Sequence, residues 1–243
     1  MNTNQKINST ELSAGNDIAA IRQVVTLQDL RVADVGCGAG KLAMALAEAG
    51  AEVIAIEPDA AQAAKNRDNL RLPGITFAEA RAEAIPCRDA EIDGVFYCRS
   101  LHHVPPAAMD AALEEAARVL SPARGFLCVI EPDMSGKWWA LQRLHADESE
   151  VRRLALEALD RTAVKLFNHC AEYWYTVNIS YADFETYLAR QKAVTFRDPN
   201  GALLARAEVE QRFEDGRADD GYVFGQPMRM RVYENRAREA GNE

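Results

Sequence analysis

Three glycines spaced by two, Gly36, Gly38 and Gly40, stand directly after an apolar run, Arg31-Val-Ala-Asp-Val35, and directly before an alanine- and leucine-rich segment. Glycines at a strand end let the backbone take positive φ and approach a ligand with no Cβ in the way. A strand, glycine loop and helix in this order bind a dinucleotide pyrophosphate when the third glycine follows the second by three positions. Here Lys41 holds that position and Gly40 comes one residue early, which disfavours a nicotinamide dinucleotide. Asp34, just before the turn, adds a second discriminator: a carboxylate beside the loop repels a pyrophosphate and attracts a cation. A ligand carrying an ammonium and a sulfonium meets both conditions, and S-adenosylmethionine is such a ligand.

Other residues with chemical potential stand after apolar runs in the same way. Glu57 stands at the tip of Val53-Ile-Ala-Ile56, where its two acceptor oxygens suit the vicinal hydroxyls of a ribose. His102 and His103 come soon after Ile92 to Cys98, and an imidazole can serve as a general base near neutral pH. Their side chains are expected to diverge, leaving one to face the reaction, with His103 the preferred base over His102. Glu131 and Asp133 end the run Phe126 to Ile130, and Glu131 could bind a cationic substrate or cap the segment after it. Trp138, Trp139, Tyr173, Trp174, Tyr175 and Tyr181 form an aromatic set that fits either a pocket rim for a planar or cationic acceptor or ordinary core packing. Trp138 and Tyr175 are the substrate contacts expected from this set.

These residues require elements to hold them. An amphipathic helix over 16–27 precedes a strand at 31–36 and a helix at 41–49 that Gly50 ends. A strand at 52–56, a helix at 60–70, a short strand at 75–78, a strand at 92–98, a helix at 106–120 and a strand at 126–130 complete an alternating series. Such alternation implies crossover units and a parallel sheet covered on both faces. Beyond it the pattern is less regular: a long helix over 147–167, a strand at 173–181, helices from Asp183 and over 203–213, and a last strand at 228–233. The first dozen residues and the tail from Asn235 carry little apolar material and are expected to fray.

Composition narrows the partners. The 243 residues, 48% of them hydrophobic, suffice for one substantial core, and about 100 to 200 residues per domain favours a single elaborated domain over 1–243. A net charge of −9, with arginines interleaved among acids along the helices, disfavours a nucleic-acid surface. The opening residues lack the apolar stretch of a signal peptide or membrane span, so no membrane partner and a cytoplasmic location are expected. Five scattered cysteines, Cys37, Cys87, Cys98, Cys128 and Cys170, have neither metal-site spacing nor disulfide density, so reduced thiols and no metal are expected.

Asp34-Val-Gly-Cys-Gly-Ala-Gly40 resembles the first motif of the class I S-adenosylmethionine-dependent methyltransferases, in the small-molecule subgroup. Further look-alike segments come in order: Val53-Ile-Ala-Ile-Glu57-Pro-Asp59, Ala82-Glu83-Ala-Ile85-Pro86, Ile92-Asp93 through Cys98 to His102-His103-Val104, and Arg118-Val-Leu-Ser-Pro-Ala-Arg-Gly125. The resemblance is strong over about 15–135 and topological beyond. It implies a Rossmann-like α/β fold: a seven-stranded, mostly parallel sheet with helices on both faces, the last strand antiparallel. The cofactor core would lie at about 15–135, and helical and aromatic lid insertions with the C-terminal strands at about 136–235. It implies S-adenosylmethionine as cofactor, held by Asp34, Gly36, Cys37, Gly38, Gly40, Glu57, Pro58, Ala82, Glu83, Cys98 and Arg99, and a small-molecule methyl acceptor. Many relatives carry an aspartate where this chain has Arg81, which leaves open whether the Glu83 side chain or the Ala82–Glu83 backbone reads adenine. In that family the Leu-His-His-Val segment accompanies unrelated substrates, which favours a loop-shaping role for the histidines. A non-catalytic cofactor-binding module and an RNA or protein methyltransferase are the alternatives. The intact motif acids and glycines disfavour the first; Arg99-Ser-Leu-His, where base-modifying relatives carry an Asn/Asp-Pro-Pro-aromatic tetrad, disfavours the second.

Overall fold

The computed structural model describes residues 9–69, 72–192 and 207–235. Its elements run β1 (Ser9–Glu11), α1 (Asp17–Val24), β2 (Arg31–Val35), α2 (Lys41–Glu48), β3 (Glu52–Glu57), α3 (Ala60–Asn69), β4 (Ile75–Glu79), β5 (Gly94–Cys98), α4 (Met109–Val119), β6 (Phe126–Pro132), α5 (Gly136–Gln142) and α6 (Ser149–Ala158). A π turn (Leu159–Ala163) and the short α7 (Val164–Leu166) lead to β7 (His169–Tyr181), α8 (Phe184–Lys192), α9 (Ala207–Phe213), β8 (Arg217–Ala218) and β9 (Gly221–Glu234). The nine strands among the described residues form one sheet in the order β1-β7-β9-β6-β5-β2-β3-β4, with β8 paired to β9. β9 runs antiparallel to β6, β7 and β8, and the other pairings are parallel.

Strict alternation along the central strands builds the two faces. Ala33, Val35, Ile54, Ile56, Val95, Tyr97, Leu127 and Val129 pack on one side under α4 and α6. Val32, Val53, Ala55, Phe96, Phe126, Cys128 and Ile130 pack on the other with α1 and α2. Strands apolar on both faces are what a parallel sheet sandwiched by helices requires. Met109, Ala112, Leu113 and Ala116 recur on α4 at helical spacing and are all buried, each large side chain contributing about 1.5–3 kcal/mol by leaving water.

A third core lies beyond the sheet's carboxyl end. There β7 and β9 extend together and meet α5, α8 and α9 through Trp138, Tyr181, Tyr187, Phe213 and Phe224. Trp138 stacks on Tyr181 with ring centroids 6.1 Å apart. α5 has no clear signal in the sequence, and its first residue shows what seats it. Gly136 has φ +81°, and a Cβ there would come within 3.0 Å of the Gly225 carbonyl oxygen.

The sheet has nine strands where seven were expected, the short β1 and β8 being additional. Residues 9–12, expected to fray, pair in parallel with β7, and the Leu12 amide donates to the Trp174 carbonyl at 2.7 Å. β7 and β9 also start earlier than the sequence suggests, because the long antiparallel register carries pairing through Gly225 and Pro227, residues that weaken an isolated strand. The expected fraying of the tail and the start of the 203–213 helix fall on residues outside the described ones. Among the described residues no helix is long and apolar enough to cross a membrane.

Candidate functional site

The order of the sheet reverses at β2, whose neighbours are β5 and β3. Ligands of open parallel sheets sit at the carboxyl ends of the strands beside such a reversal. The loop Gly36–Gly40 leaves β2 at this point, with φ of +74°, +53° and +76° at its three glycines. It is tied across the neighbouring strand: Gly36 and Cys37 amides donate to the Ile56 carbonyl at 2.8 and 2.9 Å. Gly36 is required by packing, because a Cβ would come within 2.7 Å of Ser100 Cβ, whereas a Cβ on Gly38 would meet nothing within 4 Å. Glu57 accepts from the Gly38 amide at 2.8 Å and from the Asp59 amide at 3.0 Å. Asn66, buried on α3, donates to the Gly38 carbonyl at 2.7 Å and fixes the loop from below.

Asp34 lies beneath the loop, 2% exposed, and accepts from the Ala43 amide in the first turn of α2. Burial, opposed by that hydrogen bond and reinforced by the nearby Glu57 charge, pushes its carboxyl up to about 7. Its Oδ2 has no hydrogen-bond partner among the described residues. Burial likewise pushes the Cys37 thiol up to about 12, with Asp34 and Glu57 adding to the rise, and holds Cys98 well above the ordinary thiol range. All five cysteines are free, and these two are neutral at physiological pH.

At the end of β5 the chain reverses through Arg99, whose φ of +56° is unusual for a residue with a side chain. The Ser100 hydroxyl donates to the Val35 carbonyl at 2.6 Å, locking the reversal under the glycine loop. Asp17, on the first turn of α1, gathers three groups here: the Arg99 guanidinium at 2.9 Å, the Tyr175 hydroxyl at 2.6 Å and the Cys98 thiol at 3.6 Å. Tyr175, expected to touch substrate, is 1% exposed and spends its hydroxyl on Asp17.

A single 3₁₀ turn, Leu101–His103, comes next, with Leu101 buried in the core as its anchor. His102 is 4% exposed and its Nδ1 is hydrogen-bonded to Glu131 Oε2 at the end of β6, while its amide donates to Glu131 Oε1 at 3.3 Å. Glu131 therefore holds a histidine. The rings of His102 and His103 do not diverge as expected; they lie 4.1 Å apart between centroids and line one cavity. With Glu148 they bring three metal-ligand-type atoms within 4.8 Å of one another, although the sequence spacing suggests no such group. Arg152 is ion-paired to Glu148, so a positive charge already answers that carboxylate.

The cavity measures about 440 Å³ and is lined in part by Arg99, the residue before Ser100, which touches the glycine loop. Its walls include Arg99, His102, His103, Trp138, Tyr181 and Arg190. On the other flank of the glycine loop, Arg81–Pro86 is pinned by α4. The Ile85 amide donates to Glu115 at 2.8 Å, and Arg118 donates to the Cys87 carbonyl at 2.9 Å. Ala82 is buried in this loop; the Glu83 side chain is 30% exposed and 3.8 Å from Arg81. Pro58 is exposed in the turn after Glu57.

Residues 32–123, which contain the glycine loop, Glu57 and the histidine pair, match the family model for a methyltransferase domain. Over this segment the chain is similar to methyltransferase domains. Over 108 residues it is 30% identical to an uncharacterized methyltransferase of Synechocystis, covering 44% of this chain and 50% of the relative. Over 127 residues it is 32% identical to a ubiquinone/menaquinone biosynthesis C-methyltransferase of Bartonella bacilliformis, covering 48% of each. The chain thus spans about half the length of these relatives. A crystal structure from Bacillus halodurans, described as a candidate methyltransferase, superposes over 90% of this chain and 99% of that one with a TM-score of 0.60 at 18% identity, a likeness of fold. The methyltransferase family implies S-adenosylmethionine as the cofactor.

Proposed function

We propose that the protein transfers a methyl group from S-adenosylmethionine to a small-molecule acceptor bound in the 440 Å³ cavity, with His102 as the general base. What carries this reading is the Glu131–His102 pair: a half-buried carboxylate fixes Nδ1, leaving Nε2 as the nitrogen to take a proton on a ring that lines the cavity. His102 replaces His103 as the preferred base because Glu131 orients its ring through both Nδ1 and the backbone amide.

The residues around the loop fit the cofactor. Gly38 faces open space and lets a ligand approach the backbone. Glu57 accepts one amide on each oxygen and retains a lone pair on each for a ribose hydroxyl. The orphaned Asp34 Oδ2 is a buried anionic group that a cationic ligand nearby would favour in its charged form. Gly36, Cys37 and Gly40 shape the loop, Pro58 follows Glu57, and Ala82 and Glu83 offer the pinned loop for adenine; Cys98 and Arg99 close the crevice. When bound, the cofactor supplies a methyl already activated by its sulfonium. The protein's part is then to align the acceptor, exclude water and take a proton from the acceptor onto His102 Nε2 where the nucleophile is protonated.

Purified protein incubated with methyl-labelled S-adenosylmethionine and a small-metabolite extract should label a low-molecular-weight product. His102→Ala should lower turnover by ~10² with cofactor affinity kept. Glu131→Gln should lower turnover less, with cofactor affinity likewise kept. Label found only on protein or RNA would overturn the small-molecule reading. Turnover left unchanged by His102→Ala would overturn the base.

A further inference from the structure

Three arginines, Arg99, Arg152 and Arg190, line the cavity against one acid, Glu148. This is the reverse of the whole chain, whose net charge is −9. Arg99 is answered by Asp17 and Arg152 by Glu148. Arg190 lies over the Tyr181 ring, 5.5 Å from its centroid, and has no ion-pair partner among the described residues.

The wall also holds unused hydrogen-bonding capacity. Arg152, its side chain 5% exposed, has no hydrogen-bond partner for Nε or Nη1 among the described residues. Buried polar atoms are rarely left without partners, and an Arg is shaped to take a carboxylate through two parallel hydrogen bonds.

We infer that the acceptor subsite of this cavity binds a carboxylate-bearing small molecule, with Arg190 and Arg152 drawing the anion and the Trp138–Tyr181 side packing its apolar body. This rests on the methyl-transfer reading of the same cavity and reverses the cationic acceptor suggested by the aromatic residues and Glu131. The electrostatics favour it twice. A cationic acceptor would face Arg190, which no acid among the described residues answers, and a guanidinium and a sulfonium around one cavity repel each other unless an anion lies between. A carboxylate relieves both repulsions in one step, and bound to Arg it directs the rest of the acceptor along the aromatic wall.

The test uses a fragment set of aromatic and aliphatic carboxylates, each beside its primary amide of nearly the same shape. Binding is measured by calorimetry on the full chain in the presence of S-adenosylhomocysteine, and methyl transfer is assayed in parallel with labelled S-adenosylmethionine. Carboxylates should bind about tenfold or more tightly than their amides, as expected of hydrogen bonds to a charged group. Arg190→Gln, at an exposed position on α8, should bring that ratio close to one with S-adenosylhomocysteine affinity unchanged, and Arg190→Lys should keep part of it. Equal binding of acids and amides, binding of no carboxylate, or a preference untouched by Arg190→Gln overturns the anion subsite. Carboxylates that bind with this preference but are never methylated support the subsite and count against the methyl-transfer reading. Methylation of neutral acceptors with no preference for acids does the opposite.

Discussion

Gly36 and Gly38 share a positive φ but answer to different neighbours, which separates loop packing from ligand contact. Gly36→Ala would force Ser100 aside, breaking its bond to Val35, and should lower both the melting temperature and cofactor affinity. Gly38→Ala meets no protein atom and carries mainly the cost of a left-handed backbone, about 1 kcal/mol. It should leave the melt nearly intact while weakening cofactor binding; equal melting losses for the two variants would sink the distinction. Asp34 gives a second test. A carboxyl whose folded-state pKa stands above its unfolded value makes the folded state hold more protons between about pH 4 and 7, so stability falls as pH rises across that window. Asp34→Asn should flatten this fall in calorimetric melts and weaken S-adenosylmethionine binding. The wild-type protein should release protons on binding the cofactor near pH 6.5, read as a dependence of the calorimetric enthalpy on buffer ionisation. A buffer-independent enthalpy would show that Asp34 does not sense the ligand. The glycines, Asp34 and Glu57 are legible in the sequence because strand, loop and carboxylate are contiguous. Asn66, Asp17, Glu148 and Arg190 are not: each reaches the site only through tertiary packing, and Asn66 inside Ala60–Asn69 looks like any solvent-facing helix residue.

At the scale of elements, α1 is fastened to the end of β5 by one side chain. Asp17 is half-buried and binds the Arg99 guanidinium and Tyr175 hydroxyl together, so its removal leaves two polar groups from β5 and β7 without their shared acceptor. Asp17→Ala should cost about 1–3 kcal/mol by chemical denaturation. It should also raise amide exchange over α1 and residues 98–100 while α2 and β3 keep their protection. A uniform rise across the molecule would mean that the contact supports the whole fold and does not serve as a local fastening. The alternating series from β2 to β6 is legible because apolar periods of two and of three to four residues are local signals. α5 is not, since Gly136 opens it and two tryptophans could sit equally in a strand. β1 is not, since three exposed residues become a strand only by borrowing β7 as partner. The histidine pair shows the same limit. Neighbouring side chains usually part, yet a 3₁₀ turn closed by Glu131 brings both rings to one wall.

The whole molecule divides its proposed labour along the chain. The segment 32–123, which matches the methyltransferase-domain model, carries the glycine loop, Glu57 and the histidines, while Trp138, Tyr181 and Arg190 come from the segments after β6. The net charge of −9 spreads over both parts and gives the approach of the cofactor a long-range component. S-Adenosylmethionine carries one net positive charge and S-adenosylhomocysteine, lacking the sulfonium, carries none. The donor should therefore be drawn in faster than the product at low salt. Screening shortens the range of that attraction to about 10 Å at 0.1 M ionic strength and about 3 Å at 1 M. Stopped-flow association measured over that range should show the S-adenosylmethionine rate falling with salt and the S-adenosylhomocysteine rate nearly level. The two dissociation rates should respond far less, because short-range contacts between ligand and loop are screened less than long-range attraction. Parallel salt slopes for the two ligands would mean that the arginines lining the cavity cancel the acidic surface, leaving local contacts alone to govern capture.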